Sequence, residues 1–238
     1  MSPNLENGAC ERFMSNKENK IIRRYIPSKY FDCFIKCNTL KLSDYNNWHN
    51  EKKLDYRCDE NDYRMLKKYS SYLELECPNS RLGIMCFTNT KNEYSHWIRY
   101  ADCCNGFCIS FYKEELMNVL KSKYGNDVIG FNDIEYIQMK RDIKSIPYSK
   151  LPFIKRKAYE SESEIRFVTK LDSDNYFIEF TDEEMYRIVE KVIIGSCVEN
   201  EEKERMKKEL KEKGIKCNIS RVLNYSKWVS FIMNNLEK

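Results

Sequence analysis

The apolar residues of this chain come in blocks no longer than one secondary-structure element, and the blocks alternate between two periods. Strand-length runs such as 82–88 (LGIMCFT) and 106–112 (GFCISFY) are separated by stretches such as 60–77, where apolar residues recur every three or four positions. Strands are expected at 21–26, 39–42, 82–88, 106–112, 129–137, 164–170, 176–180, 192–194 and 215–222. Helices are expected at 29–37, 60–77, 92–101, 114–124, 199–213 and 225–236. The sequence Asp172-Ser173-Asp174 reads as a turn that joins 164–170 to 176–180 as a strand pair. Short strands and helices intersperse throughout, with no repeat and no linker. This describes one α+β domain over 21–238, with a central mixed or split β-sheet flanked by helices. Residues 1–20 carry no period and read as a loose arm.

Composition narrows the classes. Hydrophobic residues make up 42% of the chain, and Gly (7) and Pro (5) are scarce, which excludes collagen-like and disordered chains. No apolar run reaches 18 residues and the first 20 residues have no apolar core, so neither a membrane span nor a secretory signal is expected. The expected location is the cytoplasm. The 41 basic and 37 acidic residues give a net charge of +4, too even for the concentrated basic excess of a typical nucleic-acid binder. The 11 cysteines are odd in number and lack close Cys-x-x-Cys spacing. They are expected to be reduced thiols, mostly small core residues, with no structural zinc.

Two segments concentrate chemistry. In 97–111, Trp97 and Tyr100 lie one helical turn apart, a polar turn follows, and Gly106 opens a strand. In 159–167 (YESESEIRF), three glutamates alternate with small residues. If the strand period extends back, Glu160, Glu162, Glu164 and Arg166 share one face. A row of like charges suits a solvated edge strand, where it prevents edge pairing, or a functional site.

These segments resemble the bacterial family catalogued as domain of unknown function 2971, over roughly residues 21–222. The strongest part is W-x-x-Y-A-x-x-x-x-G-F-C-I-x-F, as Trp97, Tyr100, Ala101, Gly106, Phe107, Cys108, Ile109 and Phe111. The second is aromatic-x-x-E-x-E-aliphatic-R, as Tyr159, Glu162, Glu164 and Arg166, preceded by Lys155 and Lys157. Where the family pattern carries Asn-Asp-Pro, this chain has Asn47-Trp48-His49-Asn50, and Tyr159 stands where Trp is usual. The resemblance implies a bacterial protein, with toxin or antiviral-defence settings among its associations.

The order of motifs is also similar to that of the ADP-ribosyltransferase superfamily: a basic residue on the first strand (Arg23 or Arg24), Thr-x-Thr after a middle strand (Thr88, Thr90) and Glu-x-Glu at a late strand (Glu162, Glu164). That similarity implies an ADP-ribosyltransferase-like fold and NAD as substrate. Cleaving the nicotinamide–ribose bond builds positive charge on the sugar, and an adjacent carboxylate stabilises it. Glu164 is the expected stabiliser and Glu162 the group that orients or deprotonates the acceptor. Arg23 or Arg24 would hold a phosphate or ribose oxygen, Thr88 and Thr90 would brace the site, and Tyr94 or Tyr100 would stack on nicotinamide. The acceptor, protein or nucleic acid, is not specified. Two other classes compete. One is a nucleic-acid-processing or nucleic-acid-binding protein, given 17 Tyr interspersed with basic residues. The other is a non-catalytic sensor or interaction module in bacterial defence.

Overall fold

The computed structural model describes residues 20–50, 53–54, 60–91, 93–138, 145–222, 229 and 232. In chain order the strands are β1 (Ile21–Pro27), β2 (Thr39–Lys41), β3 (Ser43–Asp44), β4 (His49–Asn50), β5 (Lys53–Leu54), β6 (Arg81–Thr88) and β7 (Gly106–Tyr112). There follow β8 (Val128–Asp133), β9 (Glu135–Ile137), β10 (Ile154–Arg156), β11 (Glu164–Leu171), β12 (Phe177–Glu179), β13 (Val189–Ile194) and β14 (Cys217–Ile219). The α-helices are α1 (Phe31–Cys37), α2 (Glu60–Glu76), α3 (Tyr94–Tyr100), α4 (Lys113–Tyr124), α5 (Asp182–Ile188) and α6 (Asn200–Glu212). The loose arm and the terminal helix expected at 225–236 lie outside the described residues, apart from Lys20, Val229 and Ile232.

Among the described residues the main sheet has eight strands, in the order β14-β13-β7-β1-β6-β11-β8 with β3 beside β6. All its pairs are antiparallel except β13 with β14, so the sheet is mixed and the fold is α+β. The strands β1 and β7 pair along their whole length, from Ile21 opposite Tyr112 to Pro27 opposite Gly106. In contrast, β1 and β6 pair at one position, Arg23 opposite Thr88, and then part. Further along β6, Gly83 and Ile84 pair with β3 instead. The centre of the sheet is therefore splayed between β1 and β6.

Strand alternation assigns the two faces. On the first, Ile22 and Ile26 of β1, Met85 and Phe87 of β6, Phe107, Ile109 and Phe111 of β7 and Ile165 and Phe167 of β11 join one large core with α1, α4, α5 and α6. On the second, two smaller apolar patches form. One sets Leu82, Ile84 and Val168 against Leu66, Tyr69 and Leu73 of α2. The other sets Tyr25 and Cys108 against Trp97 and Ala101 of α3. Polar residues fill the ground between the patches.

Gly106 has a packing reason. A Cβ there would stand 2.3 Å from the Ile26 carbonyl oxygen, where β1 and β7 close up at the end of the ladder. The hydrophobic residues around it (Ala101, Phe107, Cys108, Phe111) are fully buried, which accounts structurally for most of the 97–111 segment.

Several expectations need correction. The segments 164–171 and 177–179 do not pair with each other: β11 lies between β6 and β8, and β12 pairs with β2. The turn after Leu171 exists, but the chain leaves the sheet through it. The helix α5 is not among the expected elements, although Thr181 and Glu184 form a capping box at its start. The nine cysteines among the described residues are free thiols, as expected, but only Cys104 and Cys108 are buried. Cys33, Cys37, Cys103 and Cys197 are exposed. Among the described residues no helix is long and apolar enough to cross a membrane.

The Gly106 contact yields a prediction. Gly106→Ala forces β1 and β7 apart at that rung and should cost about 2 kcal/mol or more, read as a lowered urea midpoint. An unchanged midpoint would show that the rung can yield freely.

Candidate functional site

Register brings three distant residues into one row. Arg23 faces Thr88 across β1 and β6, and Thr88 faces Glu164 across β6 and β11. Directly opposed residues project to the same face, so the three side chains line up on the second face at the one rung where β1 and β6 still touch. All three line a cavity of about 390 Å³ at the splay. Arg24 lines it too, but from the other face of β1. Tyr100 and Glu162 complete the set of expected residues in its wall. Thr90 lies one step behind, its hydroxyl 3.0 Å from that of Thr88 and its carbonyl accepting from Arg23 Nη1 at 3.0 Å. Tyr94 is 50% exposed on the first turn of α3 and does not line the cavity, so the structure does not place it for stacking.

The glutamate segment departs from the expected strand. Residues 157–162 form a 3-10 helix, and Ser163 closes it in the left-handed region at φ 43°. Glu160 is exposed and pairs with Lys157 at 2.6 Å, away from the row. The sharp turn at Ser163 swings Glu162 back beside Glu164, so the two carboxylates meet through a turn rather than along a strand face. Residue 162 is pinned by its carbonyl oxygen, which accepts from Thr88 Oγ1 at 2.7 Å and from His96 Nε2 at 3.2 Å. A carbonyl only accepts, so Nε2 carries the imidazole proton. Burial lowers the His96 pKa and favours the neutral ring. Thr88 therefore braces the glutamate turn rather than capping α3, whose first turn has no side-chain cap.

Both carboxylates belong to a buried ion cluster. Arg166 donates from Nε to Glu164 Oε1 at 2.8 Å, and grips Asp62 with Nη1 and Nη2, each at 2.9 Å. Lys155 Nζ donates to Glu162 Oε2 at 2.5 Å and Glu164 Oε2 at 3.1 Å, with Asp62 at 3.8 Å. Glu162 Oε1 accepts from Arg99 at 2.8 Å and from the Tyr100 hydroxyl at 3.1 Å. Asp62, Glu162 and Glu164 are thus matched by Lys155, Arg166 and Arg99. The side chains of Arg166 and Lys155 are 0% and 5% exposed. Burial works to raise the Glu164 carboxyl, but the Arg166 and Lys155 charges hold it well down, at about 2. Burial likewise opposes the charges on Lys155 and Arg166, yet the surrounding carboxylates push both pKa values above their ordinary ranges. Burial and then the Glu162 charge push the Tyr100 phenol up.

Sequence reasoning named the carboxylates and missed most of their partners. Lys155 and Arg166 belong to the motif around the glutamates, whereas Asp62, Arg99 and His96 belong to no sequence motif with an expected role. Asp62 had a legible signal: it sits on the same helical stripe as Leu66, Tyr69 and Leu73, all buried, and a carboxylate there needs a buried cation. The two segments that carry the family resemblance meet at the Glu162 carboxylate, through Tyr100 of one and Glu162 itself of the other. Among the described residues no group of three or more His, Cys, Asp and Glu is arranged to hold a metal ion. No family model, no curated protein and no solved structure matches the chain.

The cluster sets two expectations. Glu164 is held near 2 against an ordinary 4.5, so the unfolded chain binds the extra proton between those values. Its contribution, on the order of 3 kcal/mol, is complete above about pH 4.5 and drains away as pH falls towards 2. His96 adds an earlier loss, because its lowered pKa makes the unfolded state the better proton acceptor as pH drops through 6.5. Urea midpoints followed from pH 7.5 to 3 should fall in both windows, and His96→Gln should flatten the upper one; a flat profile would refute the assignment. Separately, Asp62→Asn leaves a buried guanidinium undercompensated and should cost about 3–5 kcal/mol in the same assay.

Proposed function

We propose that the chain belongs to the family its motifs resemble and cleaves the nicotinamide–ribose bond of NAD, passing ADP-ribose to an acceptor or to water. The observation that carries this reading is the single row of Arg23, Thr88 and Glu164 at the mouth of the splay, a cation, a hydroxyl and a carboxylate from three strands lining one cavity.

The chemistry follows from the charges. As the C1′–N bond breaks, its electrons leave with nicotinamide, which departs neutral, and positive charge grows on the ribose. Glu164 is fully ionised at neutral pH and stabilises that charge without a proton transfer. Lys155 and Arg166 share its charge, and in exchange they fix both oxygens in place before the substrate arrives. The acceptor oxygen then forms its bond to C1′ and releases its proton to solvent water, with the Glu162 carboxylate orienting it. Arg23, part-buried and bonded to the Thr90 carbonyl, keeps its remaining donors for a phosphate or ribose oxygen. Tyr100 presents its ring to the cavity while Glu162 holds its hydroxyl.

A second reading, a nucleotide-binding sensor without catalysis, is favoured by one observation: both oxygens of each glutamate already have donors. A single assay separates the two. Wild type incubated with NAD and cell extract should release nicotinamide. Glu164→Gln, shown to be folded by circular dichroism, should release it at least ~100-fold more slowly, as expected when a charge at the reacting centre is lost. Equal rates would remove Glu164 from the chemistry. NAD binding by wild type with no nicotinamide released would establish the sensor reading instead.

A further inference from the structure

The cavity does not end at the ionic row. Its lining also takes in residues of the first face of the sheet, where it becomes aromatic: Tyr30, Phe34, Phe87 and Phe177 line it together with Arg24. Among the described residues Arg24 has no carboxylate partner. Its Nη2 donates to the Lys41 carbonyl at 2.6 Å, while its Nη1 is shielded from solvent and has no hydrogen-bond partner. Burial brings its pKa down to about 10, which still leaves the guanidinium charged at neutral pH. The contrast with the row is sharp: the fully buried Arg166 has its guanidinium bonded to Asp62 and Glu164, whereas the half-buried Arg24 leaves its shielded Nη1 unused among the described residues. A donor shielded from water and left unused is costly unless a ligand pairs with it. Lys41 adds a second cation at the rim, its ammonium 5.6 Å from the Phe177 ring centre.

We propose that this second chamber is a nucleoside-monophosphate subsite, in which Arg24 Nη1 takes a phosphate oxygen and the aromatic lining takes the base. Aromatic walls give a planar ring its contact area, and a guanidinium fork suits phosphate geometry. The inference rests on the NAD reading for its choice of ligand: the AMP half occupies this chamber while the nicotinamide ribose lies at Glu164. Arg23 and Arg24 thus have separate duties, because neighbouring residues of a strand project to opposite faces.

The test is titration calorimetry on the full chain with AMP, adenosine and inorganic phosphate. AMP should bind at least ~30-fold more tightly than adenosine, which keeps the base and lacks the charge, and more tightly than inorganic phosphate, which lacks the base. Arg24→Gln should reduce AMP affinity to that of adenosine and leave adenosine unchanged. Arg24→Lys, which keeps the charge on the same strand, should fall between the two and guards against a folding defect in the first variant. Equal binding of AMP and adenosine, full AMP affinity in Arg24→Gln, or no AMP binding by wild type would each overturn the subsite. Nicotinamide release is read on the same preparations. Release that is lost in wild type while Arg24-dependent AMP binding persists would end the catalytic reading and keep the chamber. Release with AMP binding indifferent to Arg24 would do the reverse.

Discussion

Arg166 carries its charge at a point with no solvent exposure, and α2, α3 and the stretch 152–164 arrange themselves around that fact. Its guanidinium ties β11 to the first turn of α2 through Asp62, and also donates to the Pro152 carbonyl at 2.8 Å. Lys155, from β10, joins the same carboxylates from the far side and extends the network to Glu162 and so to Arg99 and Tyr100 of α3. A cluster of this kind contributes modestly to stability when complete, because each ion gave up its hydration to enter. Removing one member is far more damaging than assembling the whole is helpful. The apolar patches on the second face hold α2 and α3 against the sheet, and the ions between them fix the register in which those helices dock.

The same network explains why the glutamates lie where they do. In an extended strand residue 162 would share a face with Glu164 but stand one two-residue repeat, about 6.6 Å, farther along the strand. The left-handed Ser163 prevents this, and Thr88 and His96 hold the preceding carbonyl so that the turn keeps its shape. The position of Glu162 is thus settled by backbone geometry and main-chain hydrogen bonds, and the Lys155 ammonium then finds two carboxylates instead of one.

The sequence made parts of this legible and hid others for identifiable reasons. The strands at 82–88, 106–112 and 164–170 could be read because their apolar residues are nearly all buried and the runs are bounded by turns. The grouping of Arg23, Thr88 and Glu164 was reachable from motif order, whereas their common rung depends on strand pairings far apart in the chain. The pairing of β12 with β2 is another long-range choice, and a local turn signal at 172–174 pointed to the wrong neighbour. Glu160 fell out of the row because one residue with positive φ interrupts the alternation that periodicity assumes. The Thr181–Glu184 capping box and the position of Asp62 on an apolar stripe were both visible, and each needed only local reasoning. The two cations that neutralise the cluster were visible as residues but not as partners.

The one-rung junction between β1 and β6 also has a mechanical meaning. On one side of it stand β1, β7, β13 and β14; on the other stand β6, β11 and β8, and within each group the strands share several consecutive rungs. The two ladders share one backbone rung, at Arg23 and Thr88, and are otherwise held together by the core on the first face, where Phe87 packs edge-on against Phe111. The width of the aperture is therefore set by side chains packed on the first face rather than by backbone hydrogen bonds, and a change of side-chain volume there resizes it while every ladder keeps its rungs.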